Sequence, residues 1–361
     1  MTYSARMSIL EGLSMVKVSP SFDIGQDVRE LIFRSGIDVK DLRGKRVLIT
    51  GGTGFFGVWM LSALIEIKSM LDGELGIFLL SRDPESFVKA FPASSFEEHV
   101  SFIQGDVKDF QLTARGITHI AHMATTSASE TFAGEAQINK LDMLSLGTKN
   151  LLSQCDDSLE SVLFTSSGVV YGAANDGPIN ETVPTAVDST NSGSALGLGK
   201  LIAEYLVQHN SKVMDYKFTV ARCFSFAGPY LPTNLHYAFG NFIQDALTGQ
   251  KITVRGDGLD QRSFMYIGDC TAWLLRMLVQ PMNGVYNVGS ECPITVLELA
   301  QMISTLAGRG HDIEVLGNEC EVGNFRRSCY IPSTLRARSD YPGLAEWTYL
   351  EETILRMTRK N

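Results

Sequence analysis

Hydrophobic positions along the chain fall into two rhythms. Short, wholly apolar runs of strand length recur, and each is followed by a segment with apolar residues at helical spacing. The first such unit opens with the apolar run 47–49, a buried strand, and continues through "VWMLSALIEIKSML" at 58–71, a helix. Further strands are predicted at 76–83 ("GIFLLSRD"), 100–107 ("VSFIQGDV"), 118–127 ("THIAHMATTS") and 161–172 ("SVLFTSSGVVYG"). Long helices are predicted over 140–155 and from 196 onward. Strands alternating with helices imply a parallel sheet covered on both faces. From 218 the rhythm changes to shorter strands and helices: a strand at 218 running into a Gly/Pro loop, and a helix at 241–250. An extended stretch around a Gly256–Gly258 turn follows, then a helix at 271–281, a strand at 284–290, a helix at 295–308 and a last helix from about Trp347. The reading is an α/β chain with an extension at 1–40, a doubly wound sheet domain at 41–225 and a smaller α/β lobe at 226–361, some strands of which return to the sheet. A short helix is predicted within 21–36, ending at Gly36 and packing as an arm on the outside of the fold or on a second subunit.

The turn after the first strand carries the clearest chemistry. "KRVLITGGTGFFG" places Gly51, Gly54 and Gly57 between strand and helix, with Phe55 and Phe56 at the helix start. The first glycine permits a sharp turn, the second lets backbone N–H groups approach a pyrophosphate, and the third lets the helix pack on the strand. The helix N-terminus adds free amides and a positive dipole end. The stretch therefore predicts a dinucleotide site. The second strand's tip, where the adenosine ribose is expected, carries Ser81 and Arg82 with Asp83 behind. An acidic residue directly at the tip would favour NAD; Arg82 can pair with a 2′-phosphate, which leans the reading towards NADP. Asp106 and Val107 end the third strand, with Asp106 suited to the adenine amino group. The small residues from Ala124 to Ser127 end the fourth.

Composition removes several alternatives. The net charge of -9 and the lack of a basic stripe argue against nucleic acid or an anionic membrane surface as partner. Six cysteines form no C-x-x-C pair or zinc spacing, which predicts free thiols, no metal site and a cytoplasmic setting. No apolar run approaches the roughly 20 residues of a membrane helix, and the N-terminus does not read as a signal peptide.

With these motifs in order, the chain resembles the extended short-chain dehydrogenase/reductases, and among them the NAD(P)-dependent nucleotide-sugar epimerase/dehydratase group. "TGGTGFFG", "GDV", "SSGVVYG", "GKLIAE", "ARCFSFAGPYLP", "NFI", "VRGDG", "RSFMYIGD" and "YNVGS" follow that family's order and spacing. The resemblance implies a Rossmann-type domain holding NAD or NADP, a nucleoside-diphosphate sugar in the cleft to the second lobe, and transient oxidation of a sugar hydroxyl to a ketone. It implies Ser167 as the hydrogen-bond partner of the reacting hydroxyl, and Lys200 at the nicotinamide ribose. Ser127, Asn241, Phe242, Arg255, Arg262 and Arg326 are implied around the sugar nucleotide, with Arg262 clamping the diphosphate. It also implies a homodimer built on the helices near 137–155 and 196–210.

The chain departs from the family pattern where protons are handled. Leu196 stands where the family has a tyrosine base, four residues before Lys200, and leucine cannot exchange a proton. Gly168 and Val169 replace the acidic pair of the 4,6-dehydratases; Ser225 and Leu144 replace two usual asparagines. Tyr171, His122, Cys223 or groups of the substrate with Ser167 and water are the candidate substitutes, each with a plain packing role as its alternative. Two readings stand: an enzyme with rearranged acid–base groups, Tyr171 among them, or a catalytically silent NAD(P)- and nucleotide-sugar-binding protein.

Overall fold

The computed structural model describes residues 24–90, 96–126, 136–172, 177–233, 237–308, 310, 312–317 and 329–358. Six strands form in chain order: β1 (Arg46–Thr50), β2 (Gly76–Ser81), β3 (Ser101–Gln104), β4 (His119–His122), β5 (Ser161–Ser167) and β6 (Lys217–Cys223). All pair in parallel, and the Gly284–Val288 strand closes the sheet beside β6. From that strand inward the order runs β6, β5, β4, β1, β2, β3, so the chain reverses direction across the sheet between β1 and β4. The C-terminal ends of those two strands form the crevice in which such sheets bind ligands.

Burial explains the apolar runs. Val47, Leu48 and Ile49 are inaccessible because helices cover both faces of β1. One face packs against the Phe55–Met70 and Ile267–Val279 helices through Trp59, Leu61, Leu64, Trp273 and Leu274. Leu151, Leu152, Ala203 and Val207 of the Gln137–Ser153 and Ala195–Met214 helices belong to the core of the other. Phe239, Ile243, Ile252, Leu299, Ile303 and Ile354 build the lobe's own core. The Val296–Leu306 helix in that lobe starts with a reciprocal cap: Thr295 accepts from the Glu298 amide, and Glu298 accepts from the Thr295 amide.

Several boundaries differ from the periodicity. The helix expected at 271–281 starts at Ile267, because Ile267 and Cys270 complete its buried face. The strand expected through 172 ends at Ser167, where the chain tightens into a 3-10 turn over Gly168–Tyr171. The last helix spans Leu350–Thr358, starting after rather than at Trp347, whose amide is turned towards Asp269.

The expected N-terminal helix forms as Ile24–Ser35, with Gly36 at φ +67° just beyond it. Its Val28, Leu31 and Ile32 join the core beside the Phe55–Met70 and Ile267–Val279 helices. Asp27 meets the Tyr266 hydroxyl and the Arg356 guanidinium, the latter at 2.8 Å. Arg34 lies 3.3 Å from Asp269, a buried carboxylate that also accepts the Trp347 and Thr348 amides at 2.9 and 2.7 Å. One carboxylate thus fastens the N-terminal helix and the C-terminal segment to the same core helix. Burial raises the Asp269 acid above its ordinary range, opposed by those two amides and Arg34. Asp269→Ala leaves two amides without their acceptor and takes one partner from Arg34, which keeps Glu30 and Thr348, and should lower stability by about 3 kcal/mol. Asp269→Asn, which keeps one acceptor oxygen, should cost less. Urea midpoints of the two variants check the order.

Candidate active site

The site is assembled at the C-terminal edge of the sheet. At its base, Gly51 has φ +71°, and a Cβ there would lie 2.6 Å from the Met123 carbonyl group. A Cβ on Gly57 would overlap the Gly51 carbonyl and the Gly52 α-carbon. The turn is thus packed backbone on backbone, and any side chain at either position would force it open. Gly52 was not singled out from the sequence, yet it is equally confined, since its Cβ would run into Leu79. The Phe55–Met70 helix that follows has no side-chain cap at Gly54 and no acid in its first turn. Its first amides are therefore open to an anion.

These residues border a cleft of about 800 Å³. Gly51, Gly54, Phe55, Phe56, Ser81, Arg82, Asp106, Val107 and Ala124 line it, together with Phe224 and Ser225 after β6 and Phe239 and Arg262 further along the chain. Gly57 stands behind that wall. Asp106 turns one carboxylate oxygen to the Lys108 amide at 3.0 Å. Asp83 is directed elsewhere: it caps the next helix through the Ser86 amide and hydroxyl at 3.0 and 2.7 Å, and those bonds hold its pKa low. Leu80, Ser81 and Arg82 meet the cleft at the second strand's tip. A phosphate-seeking helix end, a glycine turn with no room for side chains and an acid at the third strand's end fit a dinucleotide.

Lys200 lies four residues beyond Leu196 on the Ala195–Met214 helix. It is buried, donates to the Thr165 carbonyl at 2.6 Å and sits 4.9 Å above the Phe164 ring. Burial pushes its pKa down to about 8, against the opposing pull of Cys223 and Glu204. One turn on, Glu204 receives Arg222 in a two-pronged contact at 3.1 and 2.7 Å and also the Ser166 hydroxyl. This buried ion pair joins the helix to β5 and β6 near the C-terminal edge of the sheet. Ser167, the last residue of β5, accepts the Val169 amide at 3.3 Å, and the Tyr330 hydroxyl comes up against the adjoining Gly168.

The other candidates are placed as follows. Tyr171 donates its hydroxyl to Asn287 Oδ1 at 2.8 Å, with the Arg222 guanidinium 4.8 Å over its ring. Asn287 is itself held by the Ile179 carbonyl, so the phenol is engaged in the interior. Both ring nitrogens of His122 face threonine hydroxyls, Thr50 at 2.6 Å and Thr148 at 2.9 Å. Burial lowers its pKa to about 3, making it a neutral interior histidine. Cys223 is buried against Cys270. Phe242 packs in the lobe core. Among the described residues neither Phe242 nor its neighbour Asn241 borders the cleft, which Tyr237, Ala238 and Phe239 of the same segment do. Arg255 is exposed away from the cleft lining. Ser127 and Arg326, with Arg327, lie outside the described residues. Tyr330 carried no sequence signal, because its approach to Ser167 depends on how the lobe folds back.

A doubly wound sheet with this turn and cleft defines a dinucleotide-binding α/β protein of the short-chain dehydrogenase/reductase type. The sequence matches the NAD dependent epimerase/dehydratase family over residues 47–289, and the chain belongs to that family. It is 28% identical over 274 residues to UDP-glucuronic acid decarboxylase 5 of Arabidopsis thaliana, covering 76% of this chain and 78% of the relative. It is 29% identical over 274 residues to UDP-glucuronic acid decarboxylase 1 of Danio rerio, covering 74% and 62%. Among solved structures, it is similar in fold to UDP-N-acetylglucosamine 4-epimerase of Methanobrevibacter ruminantium. The TM-score is 0.73 at 20% identity, over 88% of this chain and 97% of that one. The dTDP-glucose 4,6-dehydratase of Streptomyces venezuelae, solved with NAD bound, gives a TM-score of 0.70 at 20% identity, over 87% and 95%. Among the described residues no helix is long and apolar enough to cross a membrane.

The buried Lys200 makes a sign-specific prediction for the protein without ligand. Its folded pKa, about 8, lies below the ordinary 10.5. Between those values the unfolded chain binds the proton and the folded chain does not, so stability rises with pH there. Its share of the slope is up to about 1.4 kcal/mol per pH unit. Below pH 8 the full cost of burying the ammonium is present. Lys200→Met should flatten this rise, measured as unfolding free energy against pH from 7.5 to 10.5 beside the wild type.

Proposed function

We propose that the protein is an NAD-dependent enzyme of the nucleotide-sugar epimerase/dehydratase type, working through transient oxidation of a sugar hydroxyl to a ketone. The observation that carries this reading is one continuous cleft. It runs from the glycine turn and Asp106 to Arg262 of the lobe, with Ser167 and Lys200 at the sheet edge behind it. A nicotinamide dinucleotide bound there supplies a hydride acceptor and donor. The chain's own groups hold the rest: the open helix amides and Arg82 take phosphates, and Arg262 faces the diphosphate of the sugar nucleotide. Ser167 orients the reacting hydroxyl, while Lys200 places a cation beneath the ribose.

Arg82 at the cleft mouth, with Asp83 committed to its helix cap, favours an NADP-like 2′-phosphate within this NAD-dependent family. Leu196 supports a second reading, a protein that binds the dinucleotide and a nucleotide sugar without turnover. Free thiols among the described cysteines accord with a reducing, cytoplasmic setting.

A homodimer completes the proposal. The Gln137–Ser153 and Ala195–Met214 helices pack together and leave Ile138, Leu146, Tyr205 and Val213 between 51% and 70% exposed on their outer sides. An apolar face of that kind suits a second copy of the chain. Tyr205→Glu with Val213→Glu should convert a dimer to a monomer in sedimentation velocity; an unchanged sedimentation coefficient would place the contact elsewhere.

NMR in D2O with oxidised cofactor and a panel of nucleotide sugars, UDP-glucuronic acid included, separates the two main readings. Deuterium entering beside a carbinol carbon, or a new sugar, is the expected outcome. Unchanged spectra with cofactor and sugar both bound would favour the silent binding protein. Affinities for NAD and NADP, with and without Arg82→Ala, test the cofactor preference: loss of tenfold or more in NADP affinity alone is expected.

A further inference from the structure

The phenol missing at Leu196 has a counterpart that arrives from the opposite side of the site. Tyr330 ends the short Cys329–Tyr330 strand, which pairs in parallel with Gln261–Arg262 and sets Tyr330 beside Arg262. Its ring packs on Phe224 at 4.7 Å between centroids, and its hydroxyl lies against Gly168, the residue after Ser167. Gly168 makes that approach possible. A Cβ on residue 168 would sit 2.6 Å from the Tyr330 hydroxyl and 2.9 Å from the Phe224 ring. The two departures from the family pattern, leucine at 196 and glycine at 168, therefore belong together: one removes a phenol from the serine and the other admits a different one.

We infer that Tyr330 is the acid–base residue of this site, exchanging a proton with the sugar hydroxyl held by Ser167, with Arg262 as the neighbouring cation. This rests on the enzyme reading given above. During oxidation Tyr330 Oη, as phenolate, takes the hydroxyl proton. The carbinol C–H bond breaks with its electron pair leaving as hydride to the oxidised nicotinamide dinucleotide, and the C–O bond becomes a ketone. In the reverse direction Tyr330 returns the proton to the oxygen as hydride comes back to carbon.

The groups facing the phenol are Ser167 from β5, Cys223 from β6, Tyr171 from the turn after β5 and Arg262 from the paired strand. Burial raises the Tyr330 pKa; the nearby Ser167 hydroxyl and the Arg262 charge lower it, while Cys223 and Tyr171 add to the rise. The free site thus holds the phenol protonated, ready as an acid. The positive charge of an oxidised dinucleotide has the sign that assists its ionisation.

The test uses the full chain, with 3-fluorotyrosine at position 330 and, separately, Tyr330→Phe. The 19F resonance should move when UDP-glucuronic acid or another bound sugar of the panel is added to the cofactor complex, and Ser167→Ala should shift it in the free protein. The fluorinated phenol is the stronger acid, so the pH at which hydrogen exchange into the sugar sets in should fall. Tyr330→Phe should slow that exchange by 100-fold or more with cofactor and sugar affinities retained. Exchange at the wild-type rate in Tyr330→Phe, or a 19F signal indifferent to bound sugar, overturns the assignment and leaves the enzyme reading standing. No exchange by the wild type on any sugar that binds defeats the enzyme reading itself, and the role of Tyr330 with it. If Tyr330→Phe fails to fold, the fluorotyrosine pH profile decides alone: an unmoved profile overturns the assignment.

Discussion

Backbone packed directly on backbone at the β1 turn is the constraint on which the rest of the structure depends. Gly51, Gly52 and Gly57 lie so close to one another and to Met123 and Leu79 that no side chain can be inserted at any of the three. That closeness lets the Phe55–Met70 helix begin immediately over the sheet edge, with its first amides open. It also brings Met123 and Ala124 at the end of β4 against the turn, where they border the cleft at the reversal between β1 and β4. The apolar bulk of Trp59, Leu61 and Leu64 on the same helix then locks the arrangement to the core.

Around that rigid cradle the polar groups are handled in two ways. Glu204 and Arg222 are buried as a mutually satisfied pair, and their cost is offset by paired geometry and the Ser166 hydroxyl. Lys200 is buried with a carbonyl and an aromatic face as its direct neighbours, an environment that tolerates the charge without neutralising it. A cation held this way is sensitive to whatever charge arrives beside it, which is the behaviour a site needs when reacting groups change charge.

Much of this was legible in the sequence because it is local. A strand, a glycine turn and an amphipathic helix occur within 45–71, and the apolar runs of β1, β2 and β5 follow from burial on both faces. Asp106 and Ala124 were placed by their positions at strand ends. Other features depend on contacts distant in the chain. Asp83, one step behind the second strand's tip, shows its role as a helix cap only through its hydrogen bonds to Ser86. Phe242 shares a segment with cleft residues, but the phase of its helix turns it into the lobe core. Tyr171 looks available at a strand's end, yet the 3-10 turn carries its hydroxyl to Asn287. Tyr330 and Ser167 are neighbours only because a short strand late in the chain pairs beside Arg262. No periodicity reports such a meeting.

The Gly284–Val288 strand gives the molecule an order of assembly. It completes the edge of the nucleotide-binding sheet, but it is made after the segments that begin the second lobe. All of β1 to β6 precede that strand in the chain, so a sheet made of them alone would end at an unpaired β6. That edge stays open until the Ile267–Val279 helix has crossed over and delivered the last strand. The lobe is therefore no late appendage to a finished domain: its chain is threaded through the closing of the sheet, and the two mature together.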